Sequence, residues 1–298
     1  MSAVNKVNTH IIATSFEYHK PESVEEAVKL LSELHNAKLM AGGTDLIPKM
    51  KQRLLDPSNI VSLKYIPELE GIRDDGGLIY IGAATRLRDI ERSAIIQKKL
   101  PLLHQSVKSI GSIQIRNMGT LGGNVCNASP AADGALGLIT LDATAVISGP
   151  EGDTEIKVSE FFKAPGVSVL KEEELVKGFK IKVPNNQTGS SFISIGRTSL
   201  DISTISIGVL LEKRDDEVID VKIGLGSVAP TPLRLYDVED WLRGKELTPG
   251  LIRETAKMVS SGIKPITDIR GTAEYRHAAA EGIAMEAITR AWKGEERE

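Results

Sequence analysis

Residues 38–52 read Lys38-Leu39-Met40-Ala41-Gly42-Gly43-Thr44-Asp45-Leu46-Ile47-Pro48-Lys49-Met50-Lys51-Gln52, and their reading decides the fold. Residues 38–41 have the character of a short buried strand. Gly42-Gly43-Thr44-Asp45 interrupts it, and a helical apolar pattern resumes over residues 46–52. The expectation is strand, glycine turn, helix. Residues without a Cβ let the backbone approach a ligand closely. Successive amides in such a turn, at the start of a helix, form an anion pocket.

Further along, Gly119-Thr120-Leu121-Gly122-Gly123-Asn124 offers a second glycine-rich stretch. Two such turns converging on one diphosphate would clamp it without lysines. Each alone reads better as a tight turn; only together, each carrying a Thr, do the two readings weigh evenly. Around them, Ser23 with Glu26 three residues later is a capping-box pattern, and Ala27, Val28, Leu31 and Leu34 follow at helical spacing. Strands are expected over 59–63 and 78–81, the second after the turn signal Asp74-Asp75-Gly76-Gly77. Thr85 is placed to cap a helix over 86–92, and a further helix is expected over 102–110. Residues 143–148 read as a strand turned back by Gly149-Pro150-Glu151-Gly152.

The polar run Val183-Pro184-Asn185-Asn186-Gln187-Thr188-Gly189 marks a boundary. The expected domains are 10–185 and 190–293. After the boundary, strands over 202–211 and 218–225 pair across Arg214-Asp215-Asp216, and two helices follow from Pro249 to about Trp292. Strands first and helices later describe a separate α+β unit. The Glu-Glu-Arg-Glu tail after Gly294 is expected to fray.

Composition excludes several classes of function. The chain has 298 residues with a formal net charge of -3 and no Lys/Arg-rich run, so no nucleic-acid surface is indicated. Aromatic residues make up only 4%, too few for base-stacking platforms. The first ten residues lack a signal peptide's apolar core, and no apolar run reaches membrane-spanning length, so a cytoplasmic location is expected. Cys126 is the single cysteine, which rules out an intrachain disulfide and a thiolate-held cluster built from this chain alone. A small buried role suits it. His10, His19, His35, His104 and His277 show no metal-ligand spacing, so no metal site is expected. Gly224-Leu225-Gly226-Ser227-Val228-Ala229 matches a dinucleotide fingerprint, but Pro230 and Pro232 forbid the helix it must open, so a strand end is the better reading. No P-loop sequence is present. Asp133, after Ala128-Ser129-Pro130-Ala131-Ala132, suits either a helix cap over 134–139 or contact with a cofactor polar group.

At these residues the chain resembles the FAD-binding subunits of molybdenum hydroxylases, including those of carbon monoxide, xanthine and nicotinate dehydrogenases. The resemblance covers nearly the whole chain. It is carried by Ala41-Gly42-Gly43-Thr44-Asp45-Leu46 with Met50-Lys51, by Ile81-Gly82-Ala83-Ala84-Thr85, and by the run from Gln114-Ile115-Arg116 through Gly119-Thr120-Leu121-Gly122-Gly123-Asn124 to Asn127 and Asp133. The closing stretch is Asp268-Ile269-Arg270-Gly271-Thr272-Ala273-Glu274-Tyr275-Arg276. It implies an α+β fold: a two-lobed FAD-binding domain of the vanillyl-alcohol oxidase (PCMH) type, followed by a C-terminal α+β domain.

Carried over, the resemblance nominates Leu39, Met40, Ala41, Gly42, Gly43, Thr44, Asp45 and Leu46, with Thr120, Leu121, Gly122, Gly123 and Asn124, as holding the FAD diphosphate. Ile110 and Val176 match positions beside the flavin ring, and Asp133 matches a cofactor-contacting acid. One position departs: Ser194 stands where a lysine is common, before a segment with the single arginine Arg197. The low cysteine count argues against the 4-hydroxybenzoyl-CoA reductase branch, whose flavin subunit carries an extra cluster.

The implied chemistry is electron relay. A molybdopterin-binding large subunit oxidises the substrate, a small [2Fe-2S] subunit carries single electrons, and FAD passes them to an acceptor such as NAD or quinone. The implied assembly is a dimer of heterotrimers. No catalytic acid/base dyad is expected in this chain. The rival readings are a self-contained flavin reductase or oxidase of the same superfamily, and an assembly protein without flavin.

Overall fold

A computed structural model describes residue 12 and residues 14–198 and 200–294. Expectations resting on residues 1–11, 13 and 199 and on the tail at 295–298 lie outside the described residues.

The first lobe is small. It runs β1 (Glu17–His19), α1 (Val24–Glu33), β2 (Ala37–Met40), α2 (Leu46–Lys51) and β3 (Asn59–Ser62), with the strands forming a parallel sheet in the order β1-β3-β2. Ser23 caps α1, its Oγ accepting from the Glu26 amide at 3.1 Å. The return bond from Glu26 reaches the Glu22 amide, one residue before the cap, at 2.8 Å. Val24, Ala27, Val28 and Leu31 bury the inner face of α1 against Val61, Leu63 and Ile66.

The second lobe contains β4 (Ile72–Asp74), β5 (Leu78–Gly82), α3 (Leu87–Arg92), α4 (Ala94–Lys99), α5 (Pro101–Lys108), α6 (Ile113–Met118), α7 (Leu121–Cys126), α8 (Asp133–Thr140), β6 (Thr144–Gly149), β7 (Gly152–Lys157), β8 (Phe162–Ala164), β9 (Val167–Ser168) and β10 (Leu175–Lys182). Its main sheet is antiparallel in the order β4-β5-β10-β6-β7, so the last strand in sequence lies at the centre. Thr85 does not cap α3. Arg86 holds the cap position, while the Thr85 hydroxyl accepts from the Gly71 amide at 2.9 Å and donates to the Gly71 carbonyl at 3.1 Å.

The C-terminal unit is β11 (Thr188–Ile195), β12 (Ile205–Arg214), β13 (Glu217–Gly226), β14 (Leu233–Arg234), α9 (Tyr236–Leu242), α10 (Pro249–Ser261) and α11 (Ala273–Lys293). The four strands pair antiparallel in sequence order, and the hairpin turns at Asp215 as expected. The polar boundary run is shorter than it reads, because β11 already starts at Thr188. Gly189 explains this: a Cβ there would lie 1.8 Å from the Ala291 carbonyl oxygen, so α11 crosses directly over the strand.

One face of this sheet buries α10 and α11. The other receives α8, which is buried on every side. Gly208 and Gly224 pair across β12 and β13, and a Cβ on either would meet the Thr140 hydroxyl at 2.7 or 2.6 Å. Gly224 and Gly226, the glycines of the dinucleotide-like stretch, thus serve close helix–sheet packing at a strand end. Among the described residues no helix is long and apolar enough to cross a membrane.

Candidate functional site

The two glycine segments meet. A Cβ on Gly42 would stand 2.0 Å from the Met118 carbonyl oxygen, and one on Gly119 would lie 3.5 Å from Thr44 Oγ1. Only glycine permits the first of these approaches. A cavity of about 260 Å³ opens where they meet. It is lined by Leu39, Met40, Ala41, Gly42, Gly43, Thr44, Asp45 and Leu46 from one side and by Ile110, Thr120, Gly123 and Asn124 from the other.

The two segments contribute differently. Among the described residues, none of the amides from Gly42 to Leu46 donates to a protein acceptor; the next amide, that of Ile47, returns to the Gly43 carbonyl. Gly43 holds φ at +72°, which curls these amides into one concave turn. In the second segment the amides of Leu121 to Asn124 are already used, and that of Thr120 has no acceptor among the described residues. Leu121 donates to Thr85 O, Gly122 to Ala83 O, Gly123 to the Thr120 side chain and Asn124 to Thr120 O. The free amides are therefore concentrated in the first segment, and the second is mainly a rigid wall.

That wall is built by the stretch Ile81 to Thr85, whose carbonyls at Ala83 and Thr85 take the first two amides of α7. Gly122 packs so tightly there that a Cβ would lie 2.7 Å from that of Ala83. The loop carrying Ile110 is held by Arg116, which donates to the carbonyls of Ile110 at 3.0 Å and Gly111 at 2.8 Å. Arg116 is itself fixed by Glu91 at 2.8 Å, and Arg88 bonds the same carboxylate at 2.6 Å. Burial pushes the Glu91 carboxyl up, but the Arg116 and Arg88 hydrogen bonds outweigh it and hold it below the usual range.

Four nominated residues do not line this cavity. Leu121 and Gly122 are buried beneath it, and Val176 lies in the core at a bulge of β10. Asp133 is also buried and does not cap α8; it is the first residue of the helix, and Ala132 holds the cap position. Its carboxyl bonds instead to Ser109, Ser203 and Ser206. Ser194 lines a separate cavity of about 660 Å³ between α5 and the chain after β11.

Sequence reasoning missed Lys49 and Asn127. Lys49 Nζ donates to Asn127 Oδ1 at 2.6 Å, and Asn127 Nδ2 donates to Asp45 Oδ1 at 3.1 Å, so this trio bridges the cleft's two sides. The cavity lining thus includes a lysine. Its signal was available, since Lys49 lies four residues after Asp45 and so on the same helical face. Cys126 also lines the cleft, half-buried, and burial pushes its thiol up to about 12.

Free amides, a bridging lysine and a glycine approach fit a diphosphate. Comparisons with known proteins agree. The family model of the FAD binding domain in molybdopterin dehydrogenase matches residues 14–186, and that of the CO dehydrogenase flavoprotein C-terminal domain matches residues 190–291. The carbon monoxide dehydrogenase medium chain of Hydrogenophaga pseudoflava is 35% identical over 95% of this chain and 99% of its own length. The glyceraldehyde dehydrogenase medium chain of Sulfolobus acidocaldarius is 34% identical, covering 92% of this chain and 97% of its own. A solved carbon monoxide dehydrogenase from Hydrogenophaga pseudoflava, lacking the Mo-pyranopterin moiety of its cofactor, superposes with a TM-score of 0.93 over 95% of this chain and 99% of the matched one, at 35% identity. The chain therefore belongs to the family of FAD-binding medium subunits of molybdenum-containing dehydrogenases.

Proposed function

We propose that the cleft grips the diphosphate of one FAD, and that the chain relays electrons from a partner [2Fe-2S] subunit to an acceptor such as NAD or quinone. The unpartnered amides of residues 42–46, facing the second glycine segment, carry this reading. Bound FAD would supply the chemistry, collecting electrons singly and releasing them in pairs. The chain's own residues bind and orient. Amides 42–46 and the Lys49 ammonium would neutralise the diphosphate. Asn124 and Thr120 would line its far side. Ile110, its loop fixed by Arg116, would set the position of the ring, and Val176 would support it from the core.

One cysteine cannot hold a cluster that needs four thiolates, so a partner would supply it. The same reading gives the complex a molybdopterin-binding large subunit, a dimer of heterotrimers as its assembly and the cytoplasm as its location. Reconstitution tests this. The purified chain should turn yellow with FAD and stay inert toward substrate until both partner subunits are added. Turnover by the chain alone would mean a self-contained reductase or oxidase. Failure to take up FAD would leave only an assembly role.

A further inference from the structure

Asp133 is 5% exposed, and hydroxyls surround its carboxyl. Ser206 donates to Oδ1 at 2.8 Å, Ser203 to Oδ2 at 2.7 Å, and Ser109 Oγ lies 3.0 Å from Oδ2. Ser109 Oγ is also 2.7 Å from the Ser106 carbonyl oxygen, which can only accept. A hydroxyl has one proton to give. The Ile110 amide goes to Val107, so it does not serve the Ser106 carbonyl in place of Ser109. With the Ser109 proton on Ser106, the contact between Ser109 and Asp133 is a hydrogen bond only when Asp133 donates it. An ionised Asp133 would leave either a carbonyl without its donor or two lone pairs face to face.

The surroundings agree. Burial pushes the Asp133 carboxyl above its usual range, and its contacts with the Ser203, Ser206 and Ser109 hydroxyls do not offset it. Among the described residues, the titratable and charged groups around the cavity that Ser109 lines are His104 and Lys108 on α5 and Arg197 and Asp201 after β11, and Arg116 lies on α6. None bonds to Asp133; Arg116 is engaged with Glu91, and Arg197 with Asp201.

Two routes leave the carboxyl. Ser109 lines the larger cavity, while its neighbour Ile110 lines the diphosphate cleft. Ser203 Oγ lies 2.7 Å from Ser194 Oγ, and Ser194 lines the larger cavity as well.

We infer that Asp133 is stored as a neutral acid and delivers its proton, through Ser109, to the redox group held across these two cavities. This rests on the flavin-relay reading. Reduced iron–sulfur clusters hand over electrons without protons. A bound flavin taking two such electrons would also take up one proton, at N5. Ser109 would give its hydroxyl proton to the ring and take that of Asp133. A solvent proton then restores Asp133 through Ser194 and Ser203.

Infrared spectroscopy of the full-length chain tests this directly. At neutral pH, the chain without FAD should show one protonated-carboxyl C=O band that shifts in D2O and on 13C-aspartate labelling. The band should vanish in Asp133→Asn and shift in Ser109→Ala. With FAD bound, reduction by a photogenerated deazaflavin radical, a one-electron donor, should bleach the band, which then recovers. Ser109→Ala should slow the bleach by about a hundredfold, the usual scale of a positioned proton donor. The absence of the band, its persistence in Asp133→Asn, or a band unmoved while bound flavin is reduced overturns the inference. If Asp133→Asn does not fold, the isotope shift and Ser109→Ala carry the assignment. A chain that shows the band but binds no FAD defeats the flavin reading, and the proton route with it, so the two failures are distinct.

Discussion

Gly42 has no space for a side chain, because the Met118 carbonyl occupies it. Gly42→Ala should push the two glycine segments apart, weaken FAD binding and cost about 1–3 kcal/mol of stability, the usual range for overpacking. Urea unfolding and a FAD titration on the same sample check both effects. Asp133 gives a signed expectation with pH. Its folded-state value is raised, so its contribution is full below the ordinary carboxylate range and is lost as pH rises through the folded value. Asp133→Asn should therefore flatten the stability profile above that range; two parallel profiles would contradict a raised value. At this scale the glycine segments were legible because composition alone marks them. The inequality between them was not. Whether an amide is free depends on the carbonyls of Ala83 and Thr85, which are remote in sequence.

Among elements, α6 and α3 are joined by a buried ion pair that also fixes the loop at Ile110. Removing one partner of such a pair leaves the other charge uncompensated and costs about 3–5 kcal/mol. Arg116→Met should destabilise the chain on that scale and release the Ile110 loop, raising its amide exchange in hydrogen–deuterium measurements. Because the Glu91 value is lowered, this pair stabilises above the ordinary carboxylate range, and its contribution fades as pH falls through the folded value. Local periodicity revealed α1, α2, α10 and α11. It did not reveal β10 as a central strand, since that place is set by pairing with β5 and β6, distant in the chain.

For the whole molecule, α8 is the shared piece. It belongs to the core of the second lobe, and its other side lies on the bare glycine stripe of the C-terminal sheet. Gly224→Val should lever that sheet away from α8 and split a single calorimetric transition into two; an unchanged single transition would mean that the stripe does not join the units. The resemblance indicated two units, yet their docking was hidden behind residues that imitate a nucleotide fingerprint. Above all stands the proposed grip of residues 42–46 on a diphosphate. Calorimetric titration of the purified chain with FAD and with riboflavin, which lacks phosphate, measures that grip. Two charge-assisted hydrogen bonds alone, at about 1.5 kcal/mol each, make FAD tighter by about a hundredfold. Riboflavin binding as tightly as FAD would contradict it.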